Sequence, residues 1–254
     1  MAQSAAPQNK TVDSQQVFSA EQQQAIQKII HSYLIEHPEV LMEAANAFQK
    51  KQQTEWQNTA SKVVPQIAEP LFTSAESIQE GNPNGDVTLV EFYDYQCPHC
   101  KDMAPQIEDI IAHDAKLKVI LKPLPFFGEA SIYAAKAVMA AQKQGKALAF
   151  HQALMKTPTT LNQDIILKIA GQAGINVQQL QTDMKNPAIE NEIKQNNTMA
   201  QQLKLTGTPA FVIAKVVLDD KSRKVRTLTN TLLIPGAVGE NLLVEAIGGV
   251  RGTK

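Results

Sequence analysis

The only two cysteines of this 254-residue chain lie in one motif, Cys97-Pro98-His99-Cys100. Two thiols at this spacing can form and break a disulfide with each other, so the motif indicates thiol–disulfide exchange. A helical pattern begins at the motif, and the unpaired N–H groups at a helix start favour a thiolate on Cys97. The imidazole of His99 can stabilise that thiolate further, and Pro98 suits the first helical turn. Cys100, one turn into the helix, is the predicted resolving thiol.

Two other interpretations of the paired cysteines remain open. The motif can be half of a zinc site, but the other half needs two histidines, and none of those elsewhere in the chain are paired at ligand spacing. These histidines are His31, His37, His113 and His151. The thiols can also be inert and buried. We predict redox chemistry with no metal and no other cofactor.

A second motif, Thr208-Pro209, follows a glycine and precedes the strand-like run that begins at Ala210. A cis peptide bond is plausible here, because the cis form of an X–Pro bond costs only about 0.5–1 kcal/mol. A plain turn is the alternative interpretation of the same residues.

The segments around the cysteines follow the order of a βαβ unit. Residues 87–93 are apolar at most positions on both sides of the strand pattern, which predicts a strand buried on both faces. An amphipathic helix over 98–113 and a second strand over 117–124 come next, and the pattern from 129 to about 205 is helical. Later elements are strands over 210–214 and 226–234 and a helix over about 240–247. The fold class is therefore α/β, with a sheet interrupted by a helical insertion.

The region before this unit is helical as well. Residues 1–17 are rich in Gln, Ser and Ala, which predicts a disordered tail. Ser19 and Gln22 have the spacing of a capping box, and amphipathic helices lie on either side of a break at His37-Pro38. A short strand is predicted around residues 71–73. Helices of this length cannot bury their apolar stripes alone, so they pack on the rest of the chain or on another copy.

Composition and charge narrow the class of function. A net charge of −1 does not indicate the excess of positive charge that is typical of nucleic-acid-binding proteins. No apolar run is long enough for a transmembrane segment. The first residues lack the basic-then-apolar layout of a signal peptide. The protein is therefore cytosolic, or its signal peptide has been removed.

These motifs, in this order over about residues 70–250, resemble the DsbA family of periplasmic thiol-disulfide oxidoreductases. The resemblance implies a thioredoxin fold with an inserted helical domain and a cis Pro209 beside the dithiol. It also implies that Thr208 and Pro209 face Cys97 and bind extended substrate through the backbone. Glu91 and Lys122 align with the family's charged pair beneath the dithiol, where they would handle protons for Cys100. A plain buried salt bridge is the alternative for that pair.

The chain departs from the usual DsbA pattern in three places. Thr208 stands where DsbA proteins usually carry Val, whereas the disulfide isomerases DsbC and DsbG carry Thr. The connection over residues 122–128 also differs. Residues 18–62 are additional, and they resemble the N-terminal helices of long, oligomeric relatives such as ScsC and the Com-type proteins. The predicted regions are a tail (1–17), a helical oligomerisation segment (18–62), a thioredoxin-like domain in two parts (63–127 and 205–254) and the insertion between them (128–204).

We therefore predict a disulfide oxidoreductase and isomerase of the periplasm, dimeric through residues 18–62, with outer-membrane association left open. Its partners would be cysteine-containing exported proteins and a DsbB-like oxidase, a DsbD-like reductase or both. A monofunctional oxidase is the nearest alternative. Others are a structural surface oligomer with a vestigial dithiol and a cytosolic isomerase that uses glutathione.

Overall fold

The computed structural model describes residues 18–252, and the predicted tail over 1–17 lies outside the described residues. The chain divides into two units, one ending at Gln53 and the other beginning at Thr54.

Two helices make up the described part of the first unit. Helix α1 (Ala20–Glu36) begins with the predicted capping box, in which the N–H of Gln22 donates to the Ser19 hydroxyl at 3.2 Å and the Ser19 N–H donates to the Gln22 side chain at 2.8 Å. The predicted break at His37-Pro38 is confirmed, since α1 ends at Glu36 and helix α2 (Glu39–Val63) follows.

The helices of the first unit expose much of their apolar surface. No residue of α1 is buried. The large exposed apolar side chains here are Phe18, Ile26, Ile29, Ile30, Tyr33, Ile35, Leu41, Met42 and Phe48. Large exposed apolar patches are typical of interaction surfaces.

The C-terminal end of α2 belongs to the second unit. Ala60 is fully buried, and Trp56 and Val63 pack against the same cluster as Phe72. Residues 54–62, which the sequence assigned to the N-terminal segment, therefore contribute to the core of the larger unit. The boundary between the two units, near residue 53, therefore falls within helix α2 and not in a loop.

Within the described residues, five strands form one mixed sheet in the order β1-β3-β2-β4-β5. Strands β2 and β3 are parallel, and the other neighbours are antiparallel. The strands are β1 (Ile78–Gly81), β2 (Val87–Tyr93), β3 (Leu117–Pro123), β4 (Ala210–Leu218) and β5 (Val225–Pro235).

Helices cover the sheet and fill the interval between β3 and β4, where the sequence predicts an insertion. They are α3 (Ala68–Phe72), α4 (Pro98–His113), α5 (Glu129–Ala140), α6 (Ala147–Met155), α7 (Gln163–Gln172), α8 (Val177–Asp183), α9 (Pro187–Gln202) and α10 (Glu240–Arg251), with a short 3₁₀ helix over Ala141–Gln144. Within residues 18–252, none of the helices combines the length and the apolar composition that a membrane crossing requires.

Strand β2 is buried along its whole length, as its largely apolar character predicts. Leu89 and Tyr93 contribute to a core cluster shared with α4 and the insertion. Val90 and Phe92 contribute to a second cluster, shared with the end of α2 and with α3. The sheet therefore separates two cores, and the apolar side chains of β2 are divided between them.

The strand predicted around residues 71–73 is wrong. Leu71 and Phe72 lie in helix α3, and the edge strand follows later, at Ile78–Gly81. Both side chains are buried in the same cluster. Neighbouring residues of a strand point to opposite faces, whereas neighbours on a short helix can both face one core.

A buried ion pair joins β3 to α9. The ammonium of Lys122 donates to Glu192 at 2.8 Å and to the carbonyl of Pro70 at 2.7 Å, and Lys122 is 0% exposed. The hydroxyls of Ser74 and Ser77 donate to the Glu192 carboxylate at 2.7 and 3.1 Å. The carboxylate thus connects the insertion, the central sheet and the segment before β1.

Glu192→Gln should destabilise the protein strongly, because it leaves the Lys122 charge buried without a compensating carboxylate. We expect the free energy of unfolding, measured with urea on the reduced protein, to fall by about 3–5 kcal/mol. Glu190→Gln is the matched control on the same helix: Glu190 pairs with Lys194 at the surface, so its loss should matter far less. Equal losses for the two variants would contradict this account.

Candidate active site at the dithiol

Helix α4 begins at the cysteine motif. Cys97 is its N-cap residue, with φ −73° and ψ 117°, and Pro98 is the first helical residue. The Lys101 N–H donates to the Cys97 carbonyl at 3.1 Å, and the Cys97 N–H donates to the carbonyl of Asp94 at 3.2 Å. The predicted helix over 98–113 is confirmed. It places Cys97 where the backbone N–H groups of the first turn have no intrahelical acceptor.

The second motif lies against Cys97. The Cys97 thiol donates a hydrogen bond to the carbonyl oxygen of Thr208 at 3.2 Å, and both cysteines are free. The Thr208–Pro209 bond is cis, as the motif suggested. Strand β4 starts at the next residue, Ala210, which pairs with Phe92 of β2. This pairing brings the two distant motifs together, one at the end of each strand.

The pKa of Cys97 is lowered to about 5, chiefly by the hydrogen bond with the Cys100 thiol. The Thr208 side chain and the backbone N–H groups of Cys100 and His99 lower it further, although burial opposes them. The Thr208 hydroxyl is buried and has no hydrogen-bond partner among the described residues while the thiol keeps its proton. That hydroxyl is therefore available to donate to the thiolate.

His99 lies between the two cysteines, in the first turn of α4. Its contribution to the pKa of Cys97 comes from the backbone N–H, and the residue is exposed at the start of α4. The Cys97 thiolate is therefore stabilised chiefly by the Cys100 thiol, with smaller contributions from the Thr208 side chain and the backbone N–H groups.

Cys100 and Glu91 form the buried side of the site. Burial raises the pKa of Cys100 far above its ordinary value, and the Cys97 hydrogen bond and the Glu91 charge raise it further. Burial also raises the pKa of Glu91 to about 8, with smaller contributions from the charges of Cys97 and Glu80. Glu91 is 2% exposed, and its Oε1 has no hydrogen-bond partner among the described residues. An unpaired carboxyl that titrates near neutral pH can accept and return a proton.

A small cavity lies beside Glu91. It has a volume of about 10 Å³, and Glu80, Glu108 and His151 are among its lining residues. This volume is close to that needed for one water molecule. Burial and the charge of Glu108 raise the pKa of Glu80, whose carboxylate accepts from Gln152 at 3.1 Å. Glu80 and Glu108 were not predicted from the sequence. Each is more than ten residues from Glu91 along the chain, and no local pattern shows that the fold brings them to the same cavity.

Lys122 does not pair with Glu91, which corrects the charged pair that the resemblance implied. In the parallel register of β2 and β3, Glu91 lies opposite Leu121, and Lys122 lies opposite Phe92. Neighbouring residues of a strand point to opposite faces. Lys122 therefore enters the other core, where it binds Glu192.

Asp94 organises the loop before Cys97, a role that was not predicted from the sequence. Its buried carboxylate accepts from the N–H of Gln96 at 2.7 Å and from the Ser131 hydroxyl at 2.7 Å. It also accepts from the N–H groups of Phe126 at 2.6 Å and Phe127 at 3.1 Å. One carboxylate thus fixes the 126–127 loop to the dithiol loop.

A chain of buried polar rings supports the end of β2. The hydroxyls of Tyr93 and Tyr95 share a hydrogen bond of 2.9 Å, and that of Tyr95 contacts His151 Nδ1 at 3.0 Å. Burial lowers the pKa of His151 to about 3, so the ring is neutral. No group of three or more His, Cys, Asp or Glu side chains suited to a metal occurs within residues 18–252.

Two family models match the chain. The model described as a DSBA-like thioredoxin domain matches residues 88–248. The model described as the copper resistance protein ScsC N-terminal domain matches residues 22–55. The thioredoxin-like fold and the helical N-terminal segment predicted from sequence are thus confirmed.

Solved structures resemble the chain over most of its length. A thioredoxin-like oxidoreductase from Silicibacter pomeroyi is 34% identical, covers 73% of this chain and 98% of its own, and has a TM-score of 0.64. A Proteus mirabilis ScsC variant with a linker deletion is 26% identical, covers 93% of this chain and 98% of its own, and has a TM-score of 0.65.

Curated relatives match part of the chain. The probable disulfide bond formation protein D of Bacillus cereus is 25% identical over 156 residues, which are 56% of this chain and 72% of that protein. The Na⁺/H⁺ antiporter NhaA of Herminiimonas arsenicoxydans is 24% identical over 151 residues, 59% of this chain. The chain spans 24% of the length of that antiporter.

Thr208→Val should raise the pKa of Cys97, because it removes a hydroxyl that can donate to the thiolate. One lost hydrogen bond predicts a rise of roughly one unit from a starting value of about 5. Thiolate absorbance followed across pH measures it, with iodoacetamide reactivity as a second readout. The exposed Thr206→Val is the matched control and should leave the titration unchanged; an unchanged titration in Thr208→Val would refute the assignment.

Glu91→Gln should change how stability depends on pH. Folded wild type keeps the Glu91 proton up to about pH 8, whereas the unfolded chain releases it near 4.5, so this group makes folding less favourable as pH rises between the two values. The glutamine variant lacks this slope. We expect its stability relative to wild type, measured by urea unfolding of the reduced proteins, to increase across that range. A constant difference would contradict the raised pKa.

Proposed function

The chain belongs to the DSBA-like thioredoxin domain family of thiol-disulfide oxidoreductases, and we propose that it both forms and isomerises disulfides in exported proteins through Cys97 and Cys100. The observation that carries this proposal is a Cys97 thiol with a pKa of about 5 in contact with Thr208. At neutral pH such a thiol is a thiolate, which is both the attacking species and a good leaving group.

In the oxidising direction, the Cys97–Cys100 disulfide accepts two electrons from a substrate dithiol. A substrate thiolate attacks the sulfur of Cys97, the bond to Cys100 breaks, and the Cys100 sulfur takes up a proton. A second substrate thiolate then attacks the substrate sulfur of the mixed disulfide. The Cys97 thiolate leaves, and the substrate keeps the new disulfide.

Glu91 is the proposed proton carrier for Cys100. The high pKa of Cys100 means that it leaves and attacks efficiently only when a proton is delivered or removed at the same time. The Glu91 carboxyl is the buried acid whose charge acts on Cys100, and the cavity beside it leads toward Glu80. Pro98 and His99 shape the first turn of the helix and supply no proton in this scheme.

Isomerisation needs the reduced enzyme. The Cys97 thiolate attacks a non-native substrate disulfide and releases one substrate thiolate. That thiolate, or another, later attacks the mixed disulfide and frees Cys97, with no net transfer of electrons. Two features support this activity: Thr208 beside the thiol, the residue type that the isomerases DsbC and DsbG carry there, and an N-terminal segment suited to bringing two sites together.

Exposed aromatic side chains beside the dithiol support unfolded polypeptide as the substrate. Phe126 and Phe127 are 49% and 53% exposed, and the Asp94 carboxylate holds both of their N–H groups. An apolar surface next to a reactive thiol suits cysteines that are flanked by exposed core residues. The backbone of Thr208 and Pro209 would align such a segment.

We propose that the first unit forms a homodimer through α1 and the start of α2. Its apolar side chains are exposed on the single chain, and the chain has no spare cysteine with which to link subunits. Burial of such surfaces drives association. Two dithiols in one assembly can hold a substrate at one site while the other acts.

The proposed compartment is the periplasm, where exported proteins acquire disulfides. A DsbB-like oxidase would regenerate the disulfide for oxidation, and a DsbD-like reductase would keep the dithiol reduced for isomerisation. A monofunctional oxidase remains the second candidate, favoured by the low pKa of Cys97, which makes its disulfide a strong oxidant.

A double substitution in α1, Ile26→Glu with Ile30→Glu, tests the link between assembly and isomerisation. Both side chains are exposed on the single chain, at 38% and 52%, so the change should spare the fold and place charges in the interface. We expect a monomeric mass in solution, peptide oxidation within about twofold of wild type, and a loss of scrambled-substrate refolding of about tenfold or more.

The matched control, Gln24→Glu with Gln27→Glu, adds the same charge to the exposed surface of the same helix. It should retain assembly and both activities. An Ile26→Glu/Ile30→Glu protein that is monomeric yet still refolds scrambled substrate would show that isomerisation does not need the dimer. If wild-type Cys97 reacted with iodoacetamide no faster than glutathione at about pH 6, the thiol would lack its depressed pKa and the dithiol would be vestigial.

A further inference from the structure

A second concave site lies at the opposite end of the central strands from the dithiol. Cys97 lies four residues beyond Tyr93, the last residue of β2, whereas this cavity is lined by Thr88 near the first residue of β2 and by Lys118 near the start of β3. The cavity volume is about 350 Å³. This volume lies within the range of small-molecule sites, roughly 300–1,000 Å³.

Two polar side chains at the base of the cavity lack partners. Thr88 and Lys118 are paired across β2 and β3, so they lie on the same face of the sheet. They are 3% and 5% exposed. Neither the Thr88 hydroxyl nor the Lys118 ammonium has a hydrogen bond or an ion pair with any residue between 18 and 252. An ammonium that is largely shielded from water and has no counter-ion is unfavourable.

The charges nearest to Lys118 do not supply that counter-ion. Burial lowers the pKa of Lys118, and the positive charge of Arg223, which also lines the cavity, lowers it further. Of the two lining carboxylates, Asp86 is bound to Arg251 at 2.8 Å, and Asp220 is on the exposed turn between β4 and β5. Lys215 adds a third cation, although its ammonium donates to the carbonyl of Arg251 at 3.2 Å.

The remaining walls of the cavity are apolar. Phe72, Val216 and Leu218 line it beside the cations. A ligand that matches both surfaces carries an anionic oxygen group on a compact apolar body, because the cations bind oxygen anions and the walls bury carbon.

We propose that this cavity binds a small organic oxyanion, whose carboxylate or phosphate group is held by the Lys118 ammonium, the Thr88 hydroxyl and the Arg223 guanidinium. The ligand supplies the counter-ion that Lys118 lacks and neutralises two cations that line the same cavity. The site is separate from the dithiol, so its occupancy does not require a reactive Cys97.

Calorimetric titration of the full-length reduced protein at constant ionic strength tests the proposal. The probes are phenyl phosphate and benzoate, with benzyl alcohol as the uncharged analogue. We expect saturable binding of at least one anion and none of the alcohol. Lys118→Met keeps the length of the side chain but removes its charge, so it should weaken binding by about tenfold or more.

Two further variants keep the test decisive. Lys116→Met removes an exposed lysine from the same segment and should bind as wild type does. Thr88→Val preserves the shape of the strand, removes only the hydroxyl, and should weaken binding severalfold even if Lys118→Met folds poorly. The proposal is overturned if neither anion binds wild type saturably, if benzyl alcohol binds equally well, or if the Lys118→Met and Thr88→Val proteins both bind as wild type does.

Discussion

The burial of β2 on both faces is the constraint on which the rest of the structure depends. Because this strand lies between two cores, its apolar side chains are divided between them, and this packing fixes where the strand ends. Cys97 then lies at the N-terminus of α4, and the pairing of β2 with β4 places Thr208 next to the Cys97 thiol. The low pKa of Cys97 and the high pKa of Cys100 are consequences of this placement, one thiol among backbone donors and the other in the core.

The alternation of β2 and β3 also separates two kinds of charge. Glu91 faces the core that contains the dithiol, and it stays unpaired and able to exchange a proton. Lys122 faces the other core, where Glu192 neutralises it and the pair connects the insertion to the sheet. A lysine beside Glu91 would hold that carboxyl ionised. Because Lys122 lies on the other face of the sheet, Glu91 has no such partner, and its pKa is about 8.

Much of this arrangement could be predicted from local sequence, and what could not has a common cause. Largely apolar character located β2, Pro98 and the amphipathic pattern located α4, and the Thr-Pro pair located the cis bond. The face occupied by Lys122 depends on the register between two strands, which neither strand encodes alone. Asp94, Glu80 and Glu108 act through contacts with distant segments. Helix α3 was not predicted, because five residues are too few to show the helical periodicity of apolar side chains.

Both cysteines of the chain are free and lie in the reactive pair, so the described fold is held together by apolar cores and buried polar contacts alone. A catalyst of disulfide formation that itself needed structural disulfides would depend on its own product for its maturation. This molecule has no such circular requirement. It can reach its native state before any oxidant is present, and it can pass through complete cycles of reduction without losing a cross-link that supports its framework.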